Sequence, residues 1–186
     1  MRSIYIIMTA TGTWFSRCIG LYTRERYNHV SLCLDAGINR FYSFGRKIVW
    51  FPLLGGFVIE HRDTGVFKAF GNTTCAIYKL DIDNNKYRAL KQSIKLFVRN
   101  REEYGYNLLG LLGVMVNKPL KRKNKFFCTQ FVASMLQINN VHDFGKDPSL
   151  VTPRDFYDIS DLTLVYEGRL CDYSDYTLNR SLAINL

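Results

Sequence analysis

The chain has 186 residues, 47% of them hydrophobic and 22% charged, which is enough for a core without staples and excludes a disordered, collagen-like or coiled-coil chain. Lys and Arg outnumber Asp and Glu by 25 to 16, so the chain carries a formal charge of +9. That charge predicts attraction to polyanions such as nucleic acid, anionic lipid or wall polymer, without fixing any chemistry.

In chain order, Ile4–Met8 is apolar and rich in β-branched residues, as a buried strand is. It is too short for the apolar region of an export signal, and Thr, Trp, Ser and Arg follow it. Residues 11–23 read as a loop running into a short helix. Tyr27–Leu34 alternates, with Val30, Leu32 and Leu34 on one side and His29, Ser31 and Cys33 on the other, the pattern of a half-buried strand. Asp35-Ala36-Gly37 supplies a turn, and Arg40–Phe44 returns as the second strand of a hairpin. Pro52 and Gly55-Gly56 make Lys47–Phe57 read as a loop. Phe57–Glu60, Val66–Ala69 and Cys75–Leu80 are short strand candidates.

Asp83 starts a helix whose Tyr87, Leu90, Ile94 and Phe97 fall on one face of a 3.6-residue period. Tyr104–Val116 is apolar but interrupted by Gly105, Gly110 and Gly113. The basic run Lys118–Lys125 (KPLKRKNK) follows. Phe126–Ile138 is the strongest helix of the C-terminal half, Thr152-Pro153 marks a further N-cap, and Leu162–Tyr166 is a last strand. The sum is an α+β domain built on a mainly antiparallel sheet. Residues 1–186 read as one domain, with 171–186 as a C-terminal extension.

Five cysteines at 18, 33, 75, 128 and 171 form no CxxC pair, which argues against a zinc ribbon and for a reducing compartment. Three histidines without ligand spacing suggest no metal, and nothing suggests a cofactor. The expected location is cytoplasmic, with peripheral membrane contact as an option. Leu108–Val116 beside the cations of Lys118–Lys125 has the make-up of an anionic-membrane anchor, although a buried core helix with a solvated loop is the simpler reading. Nucleic acid is disfavoured, because no recognition motif accompanies the charge and the aromatics fall at core-like positions.

One constellation can carry chemistry. A cysteine nucleophile works as the thiolate, which a helix N-terminus and a nearby imidazole both favour. Cys128 opens the helix in FFCTQFVASML, and His29 lies on the polar side of its strand. A hairpin turn centred on Ala36 sets Ser43 opposite His29, as an uncharged and therefore weak orienter of the ring. Glu60 is the charged alternative, its position relative to the hairpin open. Cys33 is a rival thiol on the His29 side, and Cys18 a further one. Each of these residues also has a plain packing explanation, since cysteine is among the most commonly buried residue types.

The order of a histidine strand (Tyr27-Asn28-His29-Val30-Ser31) before a cysteine helix (Phe126-Phe127-Cys128-Thr129-Gln130-Phe131-Val132) resembles the circularly permuted NlpC/P60 papain-like superfamily. That group includes YiiX-like and lecithin:retinol acyltransferase-like proteins. Tyr42–Arg46, Gly55–Glu60 and Leu150–Pro153 look like segments of a bacterial branch of the group. The resemblance implies a papain-like fold in which a helix delivers Cys128 against a sheet carrying His29. It implies Cys128 as nucleophile, His29 as base, and a small amide- or acyl-containing substrate, a peptide or a lipid. Relatives often place a stronger third group than Ser43 on the second hairpin strand. The expectation is thus a cysteine hydrolase or acyl-transfer enzyme, with a catalytically weak binding module, placed at anionic membrane surfaces, as the alternative.

Overall fold

The computed structural model describes residues 1–12, 25–174 and 176, without the side chains of Pro52 and Leu53. The expected loop and helix of residues 11–23, and Cys18 with them, lie largely outside the described residues. Eight strands form one sheet: β1 (Arg2–Ala10), β2 (His29–Cys33), β3 (Phe41–Ile48), β4 (Phe51–Glu60), β5 (Thr74–Ile82), β6 (Gly105–Tyr106), β7 (Lys125–Phe126) and β8 (Thr163–Arg169). Their order is β7-β6-β4-β3-β2-β1-β5-β8. All pairings are antiparallel except the short β6–β7 pair. Four α-helices are described: α1 (Gly65–Ala69), α2 (Asn84–Arg99), α3 (Leu108–Met115) and α4 (Cys128–Ile138). The fold is α+β and papain-like, an antiparallel sheet packed against helices, one of which begins at the cysteine.

Alternation divides the strands between two faces. Ile4, Ile6 and Met8 of β1, with Val30 and Leu32 of β2 and Phe44 of β3, point to one side. There they meet Tyr87, Leu90 and Ile94 of α2 and Phe131, Val132 and Met135 of α4. Phe44 is the hub, with ring centroids 5.2 Å from Phe126, 5.4 Å from Phe131 and 5.7 Å from Phe57. Tyr5, Ile7, Cys33, Phe41 and Ile77 point to the opposite side and form a smaller cluster with Phe67 and Leu170. His29 and Ser31 share that second side with Cys33, four and two residues before it on the same strand.

Several local expectations change. Lys47–Phe57 is not a loop but the tip and return of the β3–β4 hairpin. The Gly55-Gly56 pair serves close approach rather than a turn. A Cβ on Gly55 would sit 2.9 Å from both the Gly45 carbonyl oxygen and Tyr106 Cβ, and one on Gly56 would sit 2.8 Å from the Tyr104 carbonyl oxygen. Val66–Ala69 is helix α1 rather than a strand. One helical turn seats Phe67 against Phe41, at 5.7 Å between rings, and leaves Lys68 outside. Tyr104–Val116 resolves into β6 and then α3, which Asn107 caps by accepting the Gly110 N–H. The Thr152 cap is a reciprocal capping box with Asp155, but it opens a 3₁₀-helix, Pro153–Asp158. Asp83 caps α2 as expected by accepting the Asn85 N–H at 2.6 Å.

Candidate active site

β2 begins at His29, and α4 begins at Cys128 with Phe127 as its N-cap. β7 runs parallel to β6, so the chain leaving Phe126 delivers Cys128 to the same end of the sheet. The Cys128 Sγ lies 4.0 Å from the carbonyl oxygen of Asn28, the residue before His29. Cys128 is buried, retaining 6% of its surface, and its surroundings are polar. Burial alone would push its thiol up. Hydrogen bonding to His29, the imidazole's charge, and the backbone N–H groups of Val30 and Thr129 outweigh burial and hold the thiol below its ordinary value.

The His29 ring has a charged partner on its other side. Nε2 lies 3.0 Å from Glu60 Oε2 and 3.2 Å from Ser31 Oγ. The Ser31 hydroxyl donates to the same Glu60 oxygen at 2.9 Å. This leaves Nδ1 as the nitrogen for the thiol. Burial disfavours the imidazolium. The Glu60 charge, the Cys128 hydrogen bond, the Glu60 hydrogen bond and the Cys128 charge reverse that effect and raise the His29 pKa to about 10. Each member of the pair thereby favours the charged form of the other, thiolate beside imidazolium. The His29 and Glu60 side chains are 19% and 12% exposed, so solvent screens their ion pair only partly.

Ser43 does not reach the ring. Its buried hydroxyl donates to the Val30 carbonyl oxygen at 2.7 Å. The β2–β3 register pairs Leu32 with Tyr42, and extending it sets His29 across from Gly45. The turn is centred one residue later than Ala36, which moves every cross-strand partner by two. A Cβ on Gly45 would lie 3.5 Å from His29 Cε1 and 3.5 Å from Glu60 Oε1, in ordinary contact with both, so Gly45 borders the pair. Glu60 arrives from β4, opposite Phe41, and reaches the ring, a placement that the hairpin alone could not assign.

Two further residues lie near this group, Tyr106, which carried no sequence signal, and Arg46, which entered only as the end of the Tyr42–Arg46 segment and with no role. Tyr106 ends β6 next to Gly55, with its phenol pushed well above its ordinary value, first by burial and then by the Cys128 charge. It therefore stays protonated near neutral pH. Arg46 bonds the Val49 carbonyl oxygen at 3.2 Å and Thr11 Oγ1 at 3.4 Å, and its guanidinium lies 5.4 Å from the Phe70 ring centroid. Burial lowers its pKa, while the charges of Glu60 and Tyr106 act against that fall. Arg46 and Glu60 also line a cleft of about 340 Å³ with Val58 and Thr64.

The remaining described thiols differ. Cys33 and Cys75 are fully buried, and burial raises each to about 12. Cys171 is exposed and also raised. Cys128 alone among the described cysteines is lowered.

No protein-family model matches the sequence, and no curated protein does. Among solved structures the chain is similar to the metalloprotein YiiX of Escherichia coli O157:H7, of the domain of unknown function DUF1105. The two share 14% identity at a TM-score of 0.51, over 90% of this chain and 98% of that one. At that identity the likeness establishes the fold, which is YiiX-like. YiiX is described as a metalloprotein. Among the described residues of this chain, no three His, Cys, Asp or Glu side chains gather to hold a metal ion. No helix of the described residues is long and apolar enough to cross a membrane.

Proposed function

We propose that the protein is a cysteine-dependent hydrolase or acyl-transfer enzyme of the permuted NlpC/P60 papain-like type, acting on a small amide or acyl ester. One observation carries the reading: the Cys128 thiol at the start of α4 is held below its ordinary value by His29, which Glu60 holds cationic. That is the arrangement of an activated nucleophile, its base, and the group that orients the base. The YiiX-like fold supports the reading as background only.

The Cys128 thiolate attacks the carbonyl carbon of the substrate, forming the C–S bond and a tetrahedral oxyanion. The Cys128 backbone N–H at the helix start is the donor offered to that oxygen. The oxyanion collapses and expels the amine or alkoxide, which takes its proton from the His29 imidazolium. A thioester on Cys128 remains. Neutral His29 then takes a proton from water or from an acceptor hydroxyl or amine, whose attack releases the acyl group and restores the thiolate–imidazolium pair. Glu60 keeps the ring oriented and stabilises its charge throughout.

The test is turnover of a panel of p-nitrophenyl acyl esters and acyl p-nitroanilides by the native chain and by Cys128→Ala. The expected result is release by the native chain only, with an acyl adduct on Cys128 trapped at low pH and read by mass spectrometry. Equal release by Cys128→Ala would overturn the assignment.

A further inference from the structure

Helix α3 is built inside out. Its buried residues are Gly110 and Gly113. A Cβ on Gly110 would lie 2.9 Å from the Phe127 ring, and one on Gly113 would lie 2.5 Å from the Lys118 carbonyl oxygen, so only glycine lets the helix press this closely on its neighbours. The apolar side chains therefore face outward: Leu108, Leu109, Leu112, Met115 and Val116 are 41–63% exposed. A core helix does the reverse, so the simpler of the two sequence readings fails here. A contiguous exposed apolar face of this kind marks a surface that meets something.

Three observations identify the partner. First, the chain carries no Asp or Glu between Glu103 and Asp143, while Lys118, Lys121, Arg122, Lys123 and Lys125 follow the apolar face directly. Among the described residues only Lys121 of these has a carboxylate partner, Asp147. Second, a two-fold contact between copies would bring like charges together, which disfavours self-association through this face. Third, the β4–β6 register pairs Gly56 with Gly105, so the chain leaving Tyr106 runs toward the β3–β4 turn. α3 and the hairpin tip, with Trp50, Phe51 and Leu54 exposed at 78%, 47% and 53%, leave the sheet at the end where Cys128 and His29 lie. Leucine and methionine beside a run of cations in which only Lys121 meets a carboxylate suit acyl chains beneath an anionic headgroup layer. They are poorly suited to stacking on bases.

We propose that the exposed face of α3, with the Lys118–Lys125 run beside it, docks the protein on an anionic lipid bilayer with the Cys128 end of the sheet turned toward the membrane. Docking does not require Cys128 chemistry, so the two proposals can fail separately.

The experiment is flotation of the full chain, native and Cys128→Ala, with phosphatidylcholine vesicles prepared with and without phosphatidylglycerol. Both chains should float with the anionic vesicles only, and raising the salt from about 0.1 M to about 1 M should weaken binding by shortening the screening length. The L109Q/L112Q/M115Q variant should bind at least about tenfold less tightly, with its thermal unfolding unchanged because the three side chains are exposed. K118E/R122E/K123E should lose about a hundredfold, each of the three cations near the surface contributing on the order of a fivefold change. The charge variant keeps the test decisive if the apolar one does not fold. The proposal is overturned if the native chain fails to float with anionic vesicles, or if both variants float as well as it does. It is equally overturned if sedimentation shows a dimer that the apolar substitutions dissolve, which would make the face a contact between copies.

Discussion

The two faces of the sheet are made by the same strands and do opposite work. On the helix side, Ile6, Met8, Leu32 and Phe44 join one hydrophobic cluster with residues of α2 and α4. On the other side, one residue along in β2, His29 and Ser31 meet Glu60. The first face holds the chain together, and the end of the second gathers charges that would be costly if unpaired. Cys128 joins them: α4 packs on the apolar face, but its first residue reaches the His29 end of the sheet. Stability and reactivity are therefore separable by single substitutions.

The largest separation is expected from Cys128→Ala. Turnover should fall to background, on the order of a thousandfold or more, while the urea midpoint stays nearly unchanged. Phe44→Ala attacks the other face. It removes the hub of the aromatic cluster and should cost about 3–5 kcal/mol in equilibrium unfolding. At temperatures where that variant remains folded, the Cys128 thiol should keep its reactivity. If Phe44→Ala instead abolished thiol reactivity without destabilising the fold, the division between the faces would be wrong.

Glu60→Gln tests the ion pair. Because the carboxylate raises the His29 pKa, its loss should move the alkaline limb of the pH–rate profile down from about 10. Turnover should fall on the order of tenfold to a hundredfold. The stability sign follows from the same shift. A group whose folded pKa is raised stabilises fully below its unfolded value, about 6.5, and loses that contribution as pH rises through about 10. The native chain should thus lose stability across that window, and Glu60→Gln should lose less. Equal pH dependence of unfolding in the two chains would contradict the pair.

The smallest effect is expected at Ser43. Ser43→Ala removes a buried hydroxyl bonded to Val30, which should cost about 1 kcal/mol and leave turnover within about twofold. A large loss of activity with intact stability would return Ser43 to the third position.

The sequence made the elements with strong periodicity readable: β1, the alternation of β2, the capped α2 and the helix beginning near Cys128. It failed where long-range approach decides. Gly55-Gly56 looks like a loop signal until β6 and Tyr106 are seen pressed against it. Val66–Ala69 is too short for its period to speak, and Phe67 decides it by docking on Phe41. The turn after β2 illustrates the scale of error. Ile38 is fully buried at a positive φ of 49°, and its N–H bonds the Asp35 carbonyl. Centring the turn one residue later kept Ser43 on the His29 side but moved it two residues along, opposite Ser31. Glu60 was a named candidate, and only the β3–β4 register could put it at the ring. Tyr106 had no local pattern at all, and Arg46 only closed a segment that resembled the family, with nothing to say where its side chain would lie.

The central claim is that Cys128 rests as a thiolate because His29 faces it. The direct measurement is the rate of Cys128 alkylation by iodoacetamide across pH, read peptide by peptide, in the native chain and in His29→Ala. Cys128 should react ahead of Cys33, Cys75 and Cys171 near neutral pH, with a midpoint below that of an ordinary thiol, and His29→Ala should move that midpoint upward. A Cys128 midpoint at or above the ordinary thiol value, the same in both chains, would contradict the account.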